Sequence, residues 1–547
     1  MKTNLEIAQQ IRLLPISDIA CNAELTLADF DTCGRYKGKL TLDAIKRLSA
    51  KRRGKLVLVT AMTPTKAGEG KTTVSVGLAQ ALNRDGTIAC PAIREPSLGP
   101  LFGKKGGGCG GGYSQVLPMD DINMFFTGDS AAISAAHNLL SAMVDAHIHH
   151  GNELRIDIRE KVWPRATEMN DRPLRNCVIG LGHIEDGVPR EDHFVITAAS
   201  EVMATLCMSG SLADLKSRLS KIIVGHSLDK KPVTAGEVKA VGAMTALLCD
   251  AIRPNIVQNS EGGLAFVHGG PFANIAHGCS SVLSIKCALG LADFVVTEGG
   301  FAADLGGEKF LNLASRSLGF GPDAIVVTAT IQALMLHGGS QDADGVRTGM
   351  ANLKRHLKHL SNYGLPVIVG LNIRSTDSPD HIALFHELCK ESGIEAATCD
   401  PWNKGGEGCK ELAQKVADSC ADAPIKRLYD DDLPLKAKIE AVAVKAYGAE
   451  SVTYSREAER SIKWAEANGY GNLNPCMAKT QYSLSDDPTA VNAPTGFEIH
   501  VREVYPSAGA GFMVVVCGDI MLLPGLGKSP AAVRIDCTDD GIISGIF

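Results

Sequence analysis

KLVLVTAMTPTKAGEGKTTVSVGLAQALNR, residues 55–84, decides the fold. Its opening, KLVLVTAM (55–62), is a dense apolar run with β-branched residues, the mark of a strand buried on both faces of a parallel sheet. TPTKAGEGKTT (63–73) then predicts a glycine- and threonine-rich turn. TTVSVGLAQALNR (72–84) has helical spacing, with Val74, Leu78, Ala81 and Leu82 along one side. Gly86 ends that helix, and TIACPAI (87–93) predicts a second strand. Strand, loop, helix and strand in this order make an α/β unit.

Working outward, the pattern recurs. NCVIGLG (176–182), FVITAASEV (194–202), KIIVGHS (221–227), FVVTEGG (294–300), AIVVTAT (324–330) and LPVIVGLN (365–372) all read as strands ending in small or polar residues. Helical segments such as 237–251 and 350–360 lie between most of them. The expectation is one large, mostly parallel sheet with helices on both faces, with ligands beyond the carboxyl ends of its strands. Three domains are expected: a nucleotide-binding domain of P-loop type over 1–362, a second α/β domain over 363–450, and a smaller C-terminal α+β domain over 451–547. The second holds a strand at 365–371 and helices at 379–391 and 409–422. The third alternates in FEIHVREVYP and GFMVVVCG.

Composition narrows the class. Hydrophobic residues make up 45% and charged residues 21% of 547, an ordinary globular balance. The net charge of -6 gives no basic footprint for nucleic acid. Aromatics at 5% argue against an all-β sandwich, while 57 glycines predict many close backbone approaches. The 16 cysteines contain no Cys-x-x-Cys pair and predict neither a zinc site nor a disulfide scaffold. No apolar run reads as a signal peptide or membrane span, so the cytoplasm is the expected location.

The turn at 63–73 carries the sharpest chemistry. A glycine-rich backbone can wrap an anion, and the first amides of a helix have no internal partner. Lys71 suits terminal phosphates, and the Thr72 hydroxyl suits magnesium. The match to Gly-x-x-x-x-Gly-Lys-Ser/Thr is imperfect, because Thr65 stands at the first glycine. Read instead as KAGEGKT (66–72), it is similar to a Lys-Gly-Gly-x-Gly-Lys-Thr loop with Ala67 at one glycine. Thr65, Ala67, Gly68, Glu69, Gly70, Thr72 and Thr73 are the candidate contacts. Downstream, REPSLGPLFGKKGGGCGGG (94–112) offers Arg94 and Glu95 at a strand end, then Lys104 and Lys105 before a run of glycines. A guanidinium there suits a phosphate or a carboxylate. Asp120, Asp121, Asp129, Glu298 and Asp304 all qualify as the acidic partner of a metal or water, and pattern does not choose between them.

TPTKAGEGKTT, REPSLGP and GGGYSQVLPMDDINMFFTGD together resemble the formate–tetrahydrofolate ligases. The likeness continues through FVHGGPFANIAHGCSS, VVTEGGFAADLGGEKF, WNKGGEGC, CMAKTQYSLSDDP and PGLGKSPAA, across almost the whole chain. It implies ATP-dependent joining of formate to tetrahydrofolate through formyl phosphate, with ATP and magnesium, a homotetramer, and a response to potassium or ammonium. It implies that Lys71 holds the transferred phosphate, that Arg94 binds formate and then the acyl phosphate, and that Glu95 orients Arg94. It implies that Asp129 positions the attacking amine or accepts its proton, and that Trp402 stacks on the pterin, with Gly405 and Gly406 in the turn behind it. The 363–450 unit then contributes the folate pocket. Glu298 and Asp304 fall in a nucleotide-side or monovalent-cation region.

The chain departs from the family pattern in places. Arg374 stands where the family has the second aromatic wall of the pterin clamp, and its plane can stack on a ring or pair with a folate carboxylate. Ser130, Ala131 and Ala132 replace a Phe-His-Ala run, and Lys66 replaces a proline. Two other readings use the same loop: a kinase or carboxylate ligase acting on another small acid or pterin, and a nucleotide-driven switch ATPase.

Overall fold

The computed structural model describes residues 2–84, 86–103, 108–420 and 424–546. Lys104 and Lys105, and the last two residues of the helix expected at 409–422, lie outside the described residues. In chain order the strands that organise the site are β1 (Gly38–Leu40), β2 (Lys55–Ala61), β3 (Ala89–Ile93), β4 (Asn255–Asn259), β5 (Leu264–Val267), β6 (Phe294–Glu298), β7 (Ala324–Ala329), β8 (Val367–Asn372) and β9 (Ala396–Cys399). All belong to one twelve-stranded sheet. Its spatial order runs β1–β4–β5–β3–β6–β2–β7–β8–β9. The seven strands from β5 to β9 along that path are mutually parallel. At the β5 edge the sheet turns antiparallel through β4, β1, Phe30–Thr32, Ser114–Leu117 and Gly110–Gly111. It is therefore a mixed sheet.

Burial explains why the sequence read as it did. Six of the seven residues of β2 and all six of β7 are buried. Helix α1 (Lys71–Leu82) follows β2 and is buried continuously from Val74 to Leu82. It lies between the sheet residues Val57, Val59, Val296 and Val326 and an outer layer of Leu412, Ala413 and Val416. Full burial of Val74, Leu78 and Leu82 stabilises the fold by about 1.5–3 kcal/mol each. Gly77 permits this closeness, because a Cβ there would come within 2.6 Å of Pro401. Helix α2 (Asp129–His149) opens beside the carboxyl end of β5.

Three expected strands are not in this sheet. Cys177–Ile179, Phe194–Ile196 and Ile223–His226 each form a separate two-stranded ladder. They are three or four residues long, and in the first neither Cys177 nor Val178 is buried; the other two bury Val195, Ile196 and Val224 but pair with only one partner strand each. The α/β unit expected at 363–450 also builds no sheet of its own, because β8 and β9 continue the shared one. Near the C terminus, β10 (Asn474–Lys479) and β12 (Phe512–Cys517) are parallel, and β11 (Glu503–Ser507) pairs antiparallel with β12. Cys476, Ala478, Phe512 and Val514 of these strands pack on Ala204, Ile275 and Leu313. All sixteen cysteines are free. No helix among the described residues is long and apolar enough to cross a membrane.

Candidate active site

The carboxyl ends of adjacent parallel strands line up the chemistry. Arg94 follows β3, Glu298 ends β6, the 63–73 loop follows β2, Thr330 follows β7, Arg374 follows β8 and Trp402 follows β9. The loop is braced from several sides. Thr65 N–H donates to Glu69 Oε1 at 2.6 Å, and the Thr330 hydroxyl donates to Glu69 Oε2. Asn372 Nδ2 donates to the Glu69 carbonyl at 3.0 Å, and Arg374 Nη2 donates to the Gly68 carbonyl at 2.7 Å. Gly70 precedes α1 with φ 73°, and a Cβ there would sit 2.5 Å from Asn372 Nδ2, so only glycine fits. No side chain caps α1, which leaves the positive end of its dipole facing the loop mouth. Lys66 and Ala67 form the exposed tip, while Lys71, Thr72 and Thr73 open the helix half-buried.

Glu298 joins the loop to Arg94. Its Oε2 accepts from Thr72 Oγ1 at 2.8 Å, and its Oε1 accepts from Arg94 Nη2 at 3.5 Å. The topology dictates this meeting, because β6 lies between β3, which carries Arg94, and β2, which carries the loop. Arg94 Nη1 also donates to the Pro271 carbonyl at 3.2 Å. Its Nε is buried with no hydrogen-bond partner among the described residues. The Arg94 side chain remains 24% exposed against 5% for Glu298, so the guanidinium can meet a solute while the carboxylate stays behind it. After Glu298, Phe301 has φ 62°, and π-helical turns follow at Ala303–Gly307 and Phe310–Ala314. Such irregular backbone gathers at working sites.

The other acidic candidates are drawn elsewhere. Asp121 pairs with Lys37 at 2.9 Å, and Asp304 pairs with Lys479 at 2.6 Å. Asp129 is buried at the start of α2, with Oδ1 on Lys39 Nζ and Oδ2 on Asn255 Nδ2, each at 2.7 Å. Both of its oxygens are thus engaged by the protein. It acts on Glu95 through its field: burial first, then the Asp129 charge, push the Glu95 carboxyl well above the ordinary range. Ser130 donates to Glu168 at 2.9 Å, a contact that a phenylalanine at that position could not make.

Trp402 is half-buried beside the N-terminal segment. Its Nε1 donates to Asn4 Oδ1 at 3.2 Å, and its carbonyl accepts from Tyr113 N–H at 2.9 Å. Gly405 and Gly406 turn against Glu261 and the end of α1, where Gly406 N–H donates to Glu261 Oε1 at 2.7 Å. A recess of about 230 Å³ lined by Tyr113, Ser260, Asn403 and Lys404 opens beside this turn. Arg374 and Trp402 lie past the ends of neighbouring strands, but the Arg374 guanidinium is committed to the 63–73 loop and to Gln332. Sequence reading did not anticipate that commitment, nor the choice of Glu298, since both depend on strand order.

Thr72, at the second position of α1, and Arg94 meet at Glu298 on the carboxyl edge of the mixed α/β sheet. The large sheet with flanking helices is consistent with an α/β nucleotide-binding fold. The formate–tetrahydrofolate ligase family model matches residues 2–547. The formate–tetrahydrofolate ligase of Symbiobacterium thermophilum is 52% identical over 556 aligned positions, covering the whole of both chains. The chain belongs to the formate–tetrahydrofolate ligase family, and it is an ATP-dependent enzyme joining formate to tetrahydrofolate.

Proposed function

We propose that formate is phosphorylated between the 63–73 loop and Arg94, and that tetrahydrofolate takes up the formyl group from the Trp402 side. The observation that carries this reading is the shared carboxylate of Glu298, which draws Thr72 and Arg94 to one point. The loop amides and α1 cradle the outer phosphates, and Lys71 neutralises charge on the group in transit. Arg94 holds the formate carboxylate. A formate oxygen attacks the γ-phosphorus, the bond to the ADP oxygen breaks, and formyl phosphate forms. The folate 10-nitrogen then attacks the formyl carbon, the carbon–oxygen bond breaks, the N–H proton passes to the departing phosphate, and that phosphate leaves with one oxygen that came from formate. Phosphorylation is what makes that oxygen a leaving group, and catalysis is chiefly positioning and charge neutralisation.

Thr72 Oγ1 and Glu298 Oε2 are hard oxygen donors 2.8 Å apart, a set that fits magnesium completed by phosphate oxygens and water. When bound, that ion supplies further charge neutralisation at the phosphates. Glu95, the chain neighbour of Arg94, is buried, and burial followed by the Asp129 charge favours the protonated form of its carboxyl. Trp402 presents a flat face to the pterin, while Gly405 and Gly406 fix its turn against α1. Arg374 serves the phosphate loop rather than the pterin. Kinship also carries the expectations of a cytoplasmic homotetramer and a response to potassium or ammonium.

Omitting each substrate in turn tests the reading. ADP release in steady state should require ATP, formate and tetrahydrofolate together. Equal ATP hydrolysis with and without formate would instead favour a switch ATPase.

A further inference from the structure

Thr63, the residue that leads from β2 into the loop, spends every polar atom on one buried network. Its N–H donates to Asn352 Oδ1 at 3.2 Å, and its hydroxyl accepts from Asn352 Nδ2 at 2.9 Å. That hydroxyl lies 2.9 Å from His356 Nε2, and the Thr63 carbonyl lies 2.9 Å from His337 Nε2. The partners fix the tautomer of His337. The Thr63 carbonyl can only accept, so His337 donates from Nε2, and its Nδ1 accepts from the backbone N–H of Asn492 at 3.1 Å. His356 joins the network through the Thr63 hydroxyl, and its Nδ1 lies 3.9 Å from Asp304 Oδ1.

Both ends of the network reach the C-terminal segment. Asn352 Nδ2 also donates to the Asn492 carbonyl at 2.7 Å. Lys479 Nζ donates to Asp304 Oδ2 at 2.6 Å and to the Ser483 carbonyl at 2.5 Å. Asn492 adopts φ 65°, and both its N–H and its carbonyl are taken up by this network. Thr63, Asn352, His356, Asp304 and Lys479 are at most 2% exposed, and His337 is 4% exposed. Groups buried this deeply are costly to leave unpaired, so breaking one of these bonds strains the rest. Burial also holds both imidazoles below their ordinary pKa, His356 at about 4, which keeps them neutral. One arm ends on the first residue of the loop. The other ends on Asp304, six residues beyond Glu298. The segment 479–492 therefore meets the Asp304 side chain directly and the Thr63 backbone through His337 and Asn352.

We propose that the segment 479–492 is a strut that sets the geometry of the nucleotide loop, with His337 and Asn352 as positioning residues for ATP acting through Thr63. This rests on the reading of 63–73 as the phosphate cradle. The test is ATP, formate and tetrahydrofolate KM, together with equilibrium ATP binding and thermal unfolding, for His337→Ala, His337→Gln, Asn492→Pro and Lys71→Ala in the full-length chain. His337→Ala removes two hydrogen bonds and should raise ATP KM about tenfold, with formate KM within about twofold of the parent. His337→Gln can place its amide N–H on the Thr63 carbonyl, but its Oε1 does not occupy the position of the imidazole Nδ1 that accepts from Asn492, and it should show about a threefold rise. Asn492→Pro removes the N–H and, because proline cannot adopt φ 65°, also displaces the segment, so it should weaken ATP at least as much as His337→Ala. Should His337→Ala fail to fold, the glutamine variant carries the test. Folded variants at 337 and 492 with unchanged ATP KM would overturn the proposal, as would all three KM values rising together. If Lys71→Ala also binds ATP normally, the phosphate-site reading itself falls. If Lys71→Ala alone weakens ATP, only the strut falls.

Discussion

Replacing Glu298 with glutamine probes the junction between loop and arginine. The residue is 4% exposed and nearly the same size as its replacement, so packing should survive. The carboxylate now accepts from Thr72 at 2.8 Å and from Arg94 at 3.5 Å. A glutamine can turn its carbonyl oxygen toward only one of them. With the oxygen on Thr72, its amide N–H groups face the Arg94 guanidinium, donor against donor, and the ion pair is lost. A hydrogen bond to a charged group contributes about 1.5–3 kcal/mol, and the long Arg94 contact belongs at the low end of that range. A cost of about 1.5 kcal/mol is roughly tenfold. We therefore expect kcat/KM for formate to fall ~10–30-fold in Glu298→Gln, through an Arg94 that is no longer aimed at the carboxylate. A coupled ADP-release assay with formate varied at saturating ATP and tetrahydrofolate reads this, and thermal unfolding checks the fold. A folded variant within about twofold of the parent would refute the assigned role of Glu298.

Trp402→Ala should raise tetrahydrofolate KM about tenfold and leave ATP KM unchanged, because an aromatic platform under a flat ring contributes roughly 1–3 kcal/mol. Unchanged folate dependence would remove Trp402 from the pocket. Arg374→Phe should raise ATP KM several-fold by freeing the Gly68 carbonyl, so tighter folate with unaltered ATP would contradict the placement of Arg374. Glu308 is held neutral by burial, its pKa raised from 4.5 to about 7. Because the folded state prefers the proton, this stabilisation is complete below pH 4.5 and is lost as pH rises through about 7. Glu308→Gln should therefore flatten the fall in Tm between pH 5 and pH 8, and parallel profiles for the two proteins would refute it.

Much of this was legible in the chain. Continuous apolar strands flanking a glycine turn announced β2, β6, β7 and β8, and the loop that must follow β2. Lys71, Thr72 and Arg94 stood out because each sits just past such a strand. The choice of Glu298 among five carboxylates was not legible, since it follows from β6 lying between β3 and β2, a long-range pairing. Arg374 was open in the sequence for a related reason: standing at the position of a pterin wall, it could stack, pair with a carboxylate or point away, and its contact with the Gly68 carbonyl depends on β8 ending beside the loop. The short strands at 177–179, 194–196 and 223–226 have strand composition, but each finds a single partner in its own two-stranded ladder, a long-range pairing that composition does not carry. Nothing in the polar segment 479–492 signalled that it would end on Thr63, because buried networks leave no periodicity behind.

The most direct test of the account follows an atom. With formate labelled by oxygen-18, a single turnover with ATP and tetrahydrofolate should deliver one labelled oxygen to the inorganic phosphate, because a formate oxygen has bonded to the γ-phosphorus. Unlabelled phosphate in the presence of formylated folate would mean that formate is never phosphorylated at this site, and the roles given to Lys71, Thr72, Arg94 and Glu298 would fall together.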